Sequence, residues 1–240
     1  MCEFHGKPYD PAVNDGRLLI NEVFHSIQGE SSRAGLPCVF VRLRGCPLRC
    51  RYCDTEYAFR EGESRSIEEL VEEVTSFNCP LVEITGGEPL IQPLVHPLMA
   101  QLCDRGHTVL IETAGAHDIS ECDDRVIRIL DLKTPGSGEC DQIRWENLDD
   151  LRPVDEIKFV LTDREDYDWM KHIMEEHRLV ERVACVLASP VFDQPPGQEI
   201  TGCSGLSPAQ LAAWMLEDRL PVRMQLQLHK FIWDPRARGV

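Results

Sequence analysis

The sequence has no apolar run that approaches the ~20 residues required for a membrane-spanning helix. Its beginning, MCEFHGKPYD, lacks the basic flank and the apolar stretch of a secretory signal peptide. Positive charge is also scarce, because 25 Lys and Arg face 41 Asp and Glu, for a formal net charge of −16. A surface this acidic repels phosphate backbones. These deficits predict a cytoplasmic protein whose partners are neither membranes nor nucleic acids.

No internal repeat, low-complexity stretch or clear inter-domain linker interrupts the 240 residues. A single α/β barrel domain commonly has about this length. Hydrophobic residues make up 42% of the chain, which is enough for a sizeable core. We therefore predict one domain over residues 1–240, with residues 1–17 as an N-terminal extension.

Short apolar runs recur along the chain and predict strands. Most of these runs are nearly continuous, as expected for parallel strands that are covered on both faces. The predicted strands are residues 39–43, 81–85, 108–113, 126–132, 156–161, 182–187 and 222–227.

Helix signals fall between the predicted strands. Ser66 and Glu69 form the pattern of a capping box, and Ser207-Pro208 places proline at a first helical position. Further helices are predicted around residues 93–105 and 163–177, and loops are predicted at 59–65, 134–141 and 191–205. Alternating strands and helices predict a mostly parallel α/β sheet, as a full or partial β/α barrel. In such folds the chemistry lies at the carboxyl ends of the strands.

Eleven is a high and odd number of cysteines for a cytosolic chain of this length. A disulfide framework is typical of small secreted domains, so scattered cysteines are interpreted as small buried side chains. The scattered ones are Cys2, Cys38, Cys79, Cys103, Cys122, Cys140, Cys185 and Cys203.

The other three, Cys46, Cys50 and Cys53, form the pattern C-x3-C-x2-C directly after a predicted strand. Three thiolates on one short loop can each hold one corner of an iron–sulfur cube. No fourth cysteine is near, so one iron would keep an open position for a ligand, as catalytic zinc does. Structural zinc needs four ligands, and no second cysteine pair or nearby histidine pair is present. A non-catalytic iron–sulfur carrier would also need a fourth protein ligand, and it stays open as an alternative.

Polar or glycine-rich turns follow the later predicted strands. The glycines of TGGEP, after Thr85, allow the backbone to approach a ligand, and Glu88 can accept a bond from an ammonium group. Glu112 ends the next strand and can accept from ribose hydroxyls. Each of these groups could equally be part of a tight turn or of a solvated strand end.

The triad, with Tyr52 before its last cysteine, resembles the signature of the radical S-adenosylmethionine (SAM) superfamily. Further segments resemble the 7-carboxy-7-deazaguanine synthase family within it, from about Leu18 to Val240. These segments are INEVFHSIQGESSRAG, FVRLRGCPLRCRYCDT, TGGEPL, ETAG, DLKTPGSGE and QLQLHKFIW. The resemblance implies an open, TIM-like β/α barrel of the radical SAM type.

The same resemblance implies conversion of 6-carboxy-5,6,7,8-tetrahydropterin into 7-carboxy-7-deazaguanine, with loss of ammonia, in queuosine precursor biosynthesis. It implies a [4Fe–4S] cluster, SAM and Mg²⁺ as cofactors, an electron donor such as flavodoxin or ferredoxin, and a homodimer. No catalytic residue is implied beyond the cluster and the radical that SAM generates. A related alternative is an activating enzyme for glycyl-radical enzymes, which would lack the SIQGE and QLHK segments.

The resemblance also assigns residues, position by position. The cluster ligands are Cys46, Cys50 and Cys53, and the Mg²⁺ ligand is Thr55, with Asp54 as its competitor by charge. The implied SAM contacts are Tyr52, Asp54, Gly87, Glu88, Glu112, Lys133, Thr134 and Ser189. The implied substrate contacts are Ile27, Gln28, Gly29, Arg42, Thr85 and His229. The chain continues past the point where some members end, so we do not expect a terminal carboxylate beside the substrate.

Overall fold

The predicted apolar runs form strands of one sheet in this computed structural model, which describes residues 16–193 and 203–240. The strands in that part of the chain are β1 (Arg17–Ile27), β2 (Pro37–Leu43), β3 (Glu63–Ser66), β4 (Leu81–Gly86), β5 (Thr108–Thr113), β6 (Ile127–Asp131), β7 (Glu156–Leu161), β8 (Cys185–Pro190) and β9 (Arg223–Met224). The helices are α1 (Ile67–Ser76), α2 (Val95–Asp104), α3 (Arg164–Glu176), α4 (Leu179–Arg182), α5 (Pro208–Asp218) and α6 (His229–Ile232). No helix among these residues is long and apolar enough to cross a membrane.

The sheet runs in the order β3-β1-β2-β4-β5-β6-β7-β8-β9. From β2 to β9 all neighbours are parallel, whereas β1 is antiparallel to both β2 and β3. The edges, β3 and β9, do not pair with each other, so the sheet is open rather than a closed barrel. The prediction of a partial, mostly parallel α/β barrel is confirmed.

Two strands were missed, for a physical reason. Antiparallel strands near a sheet edge need only one buried face, so they lack the continuous apolar run used to predict the others. β1 alternates buried and half-buried residues, and β3 consists of the polar residues ESRS. The loop predicted at 59–65 is therefore wrong from Glu63 onward.

Helix starts agree well with their sequence signals. Ser66 and Glu69 form both bonds of the capping box, and Pro208 is the first residue of α5. The strand predicted at 182–187 is wrong at its start, because Arg182 ends α4, and the strand at 222–227 is reduced to β9. The predicted N-terminal extension lies outside the described residues except at Gly16 and Arg17, as does most of the predicted loop at 191–205. The single-domain organisation stays a prediction, which the single sheet supports.

Each central strand has two different faces, because side chains alternate along it. On one face, fully buried residues such as Val41, Ile84 and Leu130 pack with helix residues in one core cluster. The other face carries polar residues, for example Arg42 beside Thr85 and Asp131 beside Lys158 in adjacent strands. We call it the cavity face, because these side chains line a cavity of about 850 Å³.

At the amino ends of β6 and β7, a buried ion-pair network holds the sheet together. Asp155 is fully buried, and it accepts bonds from the backbone N–H of Arg128, at 3.0 Å, and from the Nε of Arg128, at 3.0 Å. Arg152 donates to the same carboxylate through its backbone N–H, at 2.9 Å. This network lies at the strand ends opposite to the cysteine loop.

We expect Asp155→Asn to destabilise the protein by about 3–5 kcal/mol, because it leaves the buried Arg128 guanidinium without its counter-ion. Urea unfolding followed by circular dichroism measures this loss. Asp124→Asn is the matched control, since the Asp124 side chain is fully exposed beside Arg152. Equal unfolding midpoints for the two variants would contradict a structural role for the network.

Candidate active site

A cavity of about 850 Å³ lies at the carboxyl ends of the parallel strands. Five neighbouring strands, β2 and β4–β7, each contribute a polar side chain to its wall. In that order these are Arg42, Thr85, Glu112, Asp131 and Lys158. Parallel strands that end at one edge of a sheet bring such groups together, so the site is a product of the topology.

The cysteine loop forms the upper wall of this cavity. Cys46, Cys50 and Cys53 are half-buried and all three line it. Burial raises the pKa of the Cys46 thiol to about 11 and that of the Cys53 thiol to about 12. Thiols in such surroundings give up their protons when a metal centre binds them, because the ligand form is the thiolate.

In the described part of the chain, no three His, Cys, Asp or Glu side chains are close enough together to surround one metal ion. A zinc ion needs its ligands within about 2.0–2.3 Å of one point. An iron–sulfur cube holds each thiolate at a different corner and so needs them further apart. Three thiolates on one loop can hold three corners of such a cube.

Gly87 presses directly on the cysteine loop. A Cβ atom at this position would lie 2.2 Å from the Gly45 carbonyl oxygen and 2.6 Å from the Cys46 Cβ. The Glu88 N–H then donates to the Gly45 oxygen at 2.9 Å. The glycine turn after β4 and the cysteine loop after β2 are thus packed as one unit.

We expect Gly87→Ala to lower turnover by about tenfold to hundredfold, comparable to losing an outer-shell partner of a metal ligand. The methyl group must displace the backbone that carries Cys46. Gly106→Ala is the control for replacing a glycine away from the site: a Cβ there meets no atom within 4 Å, although its φ of +88°, unlike that of Gly87, disfavours alanine. Iron content after anaerobic reconstitution and initial rates would be measured together. A Gly87 variant with normal values of both would contradict the packing argument.

Glu88 was predicted to contact SAM, but its side chain is not among those that line the cavity. Its carboxylate is fully buried and accepts bonds from the Leu90 N–H at 3.0 Å, the Thr113 hydroxyl at 2.9 Å and the Ala114 N–H at 2.8 Å. These bonds hold the turn after β4 against the end of β5.

Two further predicted SAM contacts also lie outside the cavity wall. The Thr134 hydroxyl is buried and donates to the Val160 carbonyl at 3.0 Å. Ser189 is buried in β8, where its backbone pairs with Val160. The other predicted SAM contacts line the cavity, namely Tyr52, Asp54, Gly87, Glu112 and Lys133.

Two buried polar atoms on the wall have no partner among the described residues. They are the Tyr52 hydroxyl and the Oδ1 of Asp131. Lys133 donates to the other Asp131 oxygen, Oδ2, at 2.7 Å, and its Nζ lies 5.7 Å from the centre of the Tyr52 ring. Buried polar groups are normally hydrogen-bonded. A donor and an acceptor left over beside the cysteine loop therefore fit a polar ligand such as SAM.

Lys158 is the centre of a buried charge network that the sequence analysis missed. Its ammonium contacts Glu30 at 2.9 Å, Asp131 at 3.5 Å and, still closer, Glu112. Burial alone would raise the pKa of Glu30, but Lys158 and His229 lower it to about 2. Burial opposes the charge on Lys158 too, yet these carboxylates raise its pKa well above the usual value. A lysine inside the apolar strand EIKFVL was the available signal, because buried lysines are almost always paired.

The loop between β1 and β2 brings the predicted substrate residues together. Ile27, Gln28 and Gly29 line the cavity, and a Cβ on Gly29 would lie 2.2 Å from the Nδ1 of His229. The Gly29 carbonyl also accepts a bond from the Leu228 N–H at 2.9 Å. The SIQGE and QLHK segments, almost 200 residues apart in sequence, therefore form one wall of the cavity.

Thr55 and Asp54 lie beside a lysine from the same C-terminal segment. The Thr55 hydroxyl donates to the Asp54 Oδ1 at 2.8 Å, and the Lys230 ammonium contacts the Asp54 Oδ2 at 2.5 Å. Burial would raise the pKa of Asp54, but Lys230 holds it well below its usual value. Because Lys230 neutralises Asp54, the lone pairs of the Thr55 oxygen are a suitable single ligand for a mostly hydrated Mg²⁺.

Arg42 uses only its Nε in a hydrogen bond to another described residue, which leaves its terminal nitrogens for the cavity. Its Nε donates to Glu22 at 2.7 Å, and Glu22 also accepts from the Tyr57 hydroxyl at 3.0 Å. In the described residues, neither terminal nitrogen of this guanidinium has a hydrogen-bond partner within the protein. These nitrogens can therefore bind a carboxylate that enters the cavity.

Residues 235–240 also line the cavity, in contrast to the expectation that the last residues lie away from the substrate. Arg238 lies 3.9 Å from the centre of the Tyr57 ring and 2.8 Å from a Glu61 oxygen. The segment after α6 thus covers the Tyr57 side of the cavity, next to Arg42.

The chain is similar in sequence to known proteins. Residues 40–135 match the Radical SAM superfamily. The chain is 46% identical over 228 residues to the 7-carboxy-7-deazaguanine synthase of Koribacter versatilis, covering 93% of this chain and all of that protein. It is also 46% identical over 227 residues to the enzyme of the same name from Chlorobaculum tepidum, covering 93% and 97% of the two chains.

The fold also resembles solved structures. A crystal structure of QueE from Escherichia coli superimposes with a TM-score of 0.68 at 22% identity, over 89% of this chain and 95% of that one. A structure of TYW1 with a lysine–pyruvate adduct superimposes with a TM-score of 0.53 at 14% identity, over 75% and 73% of the two chains. At these identities the likeness concerns the fold.

Proposed function

The chain belongs to the 7-carboxy-7-deazaguanine synthase family of radical SAM enzymes, and we propose that it converts 6-carboxy-5,6,7,8-tetrahydropterin into 7-carboxy-7-deazaguanine, with loss of ammonia, in 7-deazapurine biosynthesis. One observation carries the proposal. A single cavity joins the cysteine loop, Arg42 and the loop of Gln28 and Gly29.

A [4Fe–4S] cluster and SAM are the cofactors of this family, and the residues present fit them. Cys46, Cys50 and Cys53 would hold the cluster, with one iron left for SAM. When bound, these groups supply the one-electron cleavage that generates the hydrogen-abstracting radical. The protein's own part is to bind, orient and exclude water.

For SAM, the cavity wall supports direct contacts from Tyr52, Asp54, Gly87, Glu112 and Lys133. The unpartnered Asp131 Oδ1 adds an acceptor that the sequence analysis did not include. Because position 87 has no room for a side chain, the ligand could lie directly against the backbone of Gly87. Glu88, Thr134 and Ser189 would act by fixing the strand ends behind the wall.

For the substrate, Arg42 is placed to bind the carboxylate through its terminal nitrogens. Thr85 is its neighbour in β4, so both face the same part of the cavity. Ile27, Gln28, Gly29 and His229 form the adjoining wall. Burial lowers the pKa of His229, which favours a neutral imidazole at pH 7.

Several finer assignments are part of the proposal. Thr55 would ligate Mg²⁺, with Asp54 behind it. A small pterin substrate fits a radical SAM enzyme. Membership of the family supports three further assignments: an electron donor such as flavodoxin or ferredoxin, a homodimer, and a cytoplasmic location.

An anaerobic assay with SAM, dithionite and carboxytetrahydropterin, with and without Mg²⁺, tests the function. We expect a deazapurine product whose formation is faster with Mg²⁺. A glycyl-radical activating enzyme would give no deazapurine. An iron–sulfur carrier would show no change in the electron paramagnetic resonance spectrum of the reduced cluster when SAM is added. Either of these results would overturn the proposal.

A further inference from the structure

We propose that Glu83 is the specificity residue that reads the amino-pyrimidine edge of the substrate. This inference rests on the proposed function and deepens it. Glu83 is on β4, two residues before Thr85, and its side chain lines the cavity. From the sequence, Gln28 was predicted as a substrate contact, together with its neighbours Ile27 and Gly29.

Both polar atoms of the Gln28 side chain already have hydrogen-bond partners within the protein. Its Nε2 donates to the Glu83 Oε2, and its Oε1 accepts the Glu30 N–H at 3.0 Å. Gln28 is only 1% exposed, so it has little freedom to turn towards a ligand. In the chain as described, the Oε1 of Glu83 has no hydrogen-bond partner and is the acceptor left at this end of the cavity.

The distance from Arg42 suits the shape of a carboxypterin. Arg42 is paired with Thr85 across β2 and β4, and Glu83 lies two residues deeper. Two residues of a strand span about 7 Å. A substrate held by its carboxylate at Arg42 would extend its far ring towards Glu83, away from the cysteine loop.

A flat apolar surface adjoins both of these charged groups. Phe24 and Phe40 stack with ring centres 4.9 Å apart and planes 13° apart, and both line the cavity. Phe40 is the register partner of Glu83 and lies two residues before Arg42. A cation, an aromatic surface and a carboxyl therefore follow each other along one wall, as a planar heterocycle with an acidic substituent requires.

The chemistry at the carboxyl matches the pyrimidine edge of a pterin. That edge presents the 2-amino group and the ring N3–H side by side as two donors. In Glu83, Oε1 is free to accept one of them, and Oε2 has a second lone pair besides the one that accepts from Gln28. Burial raises the pKa of Glu83 to about 8, and Glu112 and Glu30 add to this effect. Two donors from a ligand would stabilise the carboxylate that these surroundings disfavour.

Fluorescence titration with 6-carboxypterin and 6-carboxylumazine tests the inference, because the lumazine has a carbonyl in place of the 2-amino group. The reconstituted wild type should bind the pterin about tenfold to hundredfold more tightly, since a mismatched buried polar group costs this much. Glu83→Gln should bring the two affinities to within about threefold, because the amide can mimic only one acceptor. In turnover, Glu83→Gln should raise KM far more than it lowers kcat.

Arg42→Gln is the matched control within the same cavity. It should weaken both ligands equally and leave their ratio as in the wild type. If Glu83→Gln keeps the wild-type ratio, the role of Glu83 is overturned while the proposed function stands. If the wild type neither binds 6-carboxypterin nor turns over carboxytetrahydropterin, the proposed function fails and this inference with it. Cluster absorbance and circular dichroism establish that each variant is folded.

Discussion

Cys50→Ala is expected to abolish deazapurine formation. Replacing the middle ligand of the triad leaves two thiolates for a cluster that three must hold. The loss should exceed the about 10–100-fold that removal of an outer-shell partner of a metal ligand typically causes. Product formation under anaerobic conditions and iron content per chain measure the two effects.

Cys185→Ala provides the control for loss of a thiol as such. Cys185 is half-buried at the start of β8 and is not among the cavity-lining residues. This variant should keep its iron and its turnover. Full turnover by Cys50→Ala would show that the cysteine loop does not carry the chemistry.

Lys158→Met should destabilise the protein by about 3–5 kcal/mol at pH 7, because it removes the shared counter-ion of buried carboxylates. The Lys158 side chain is only 4% exposed, and it contacts Glu30, Glu112 and Asp131. Lys171→Met is the control, since the ion pair of Lys171 with Asp218 is far more exposed. Urea unfolding of both variants, in the same cluster state, gives the comparison.

The stability lost in Lys158→Met should also depend on pH in a defined direction. In the wild type, Lys158 helps to hold the pKa of Glu30 at about 2, below the usual value of a glutamate. A carboxyl with a lowered folded-state pKa contributes stability above its unfolded-state pKa of about 4.3 and loses it as the pH falls. The difference between wild type and Lys158→Met should therefore be full at pH 7 and shrink below about pH 5. A deficit that grows on acidification would show that the network does not stabilise the fold in this way.

Much of the fold could be predicted from the sequence, because the parallel strands are buried on both faces. Their apolar runs, at 39–43 and 81–85 for example, leave a continuous signal, and the capping box before α1 marks a helix start. β1 and β3 gave no such signal. Their place in the sheet follows from hydrogen bonds to partners far away in sequence, which composition does not reveal.

The candidate site was predicted best where all its residues share one loop. The cysteine triad and Gly87 line the cavity as expected. Glu83 and Lys158 were missed because each is a single charge within an apolar strand, and its orientation depends on the sheet register. The burial of Glu88 behind the cavity wall could not be predicted for the related reason that its partners, Thr113 and Ala114, come from the end of another strand.

The meeting of the β1–β2 loop with the C-terminal QLHK segment has a consequence for folding. The Ser31 N–H donates to the Gln225 side chain across a sequence separation of 194 residues. Closing a loop of this length costs chain entropy that contacts between near neighbours do not cost. Folding of the strands around the cysteine loop therefore does not by itself complete the pocket, because part of its wall, Gln227, His229 and Lys230, must be brought in from the far end of the chain.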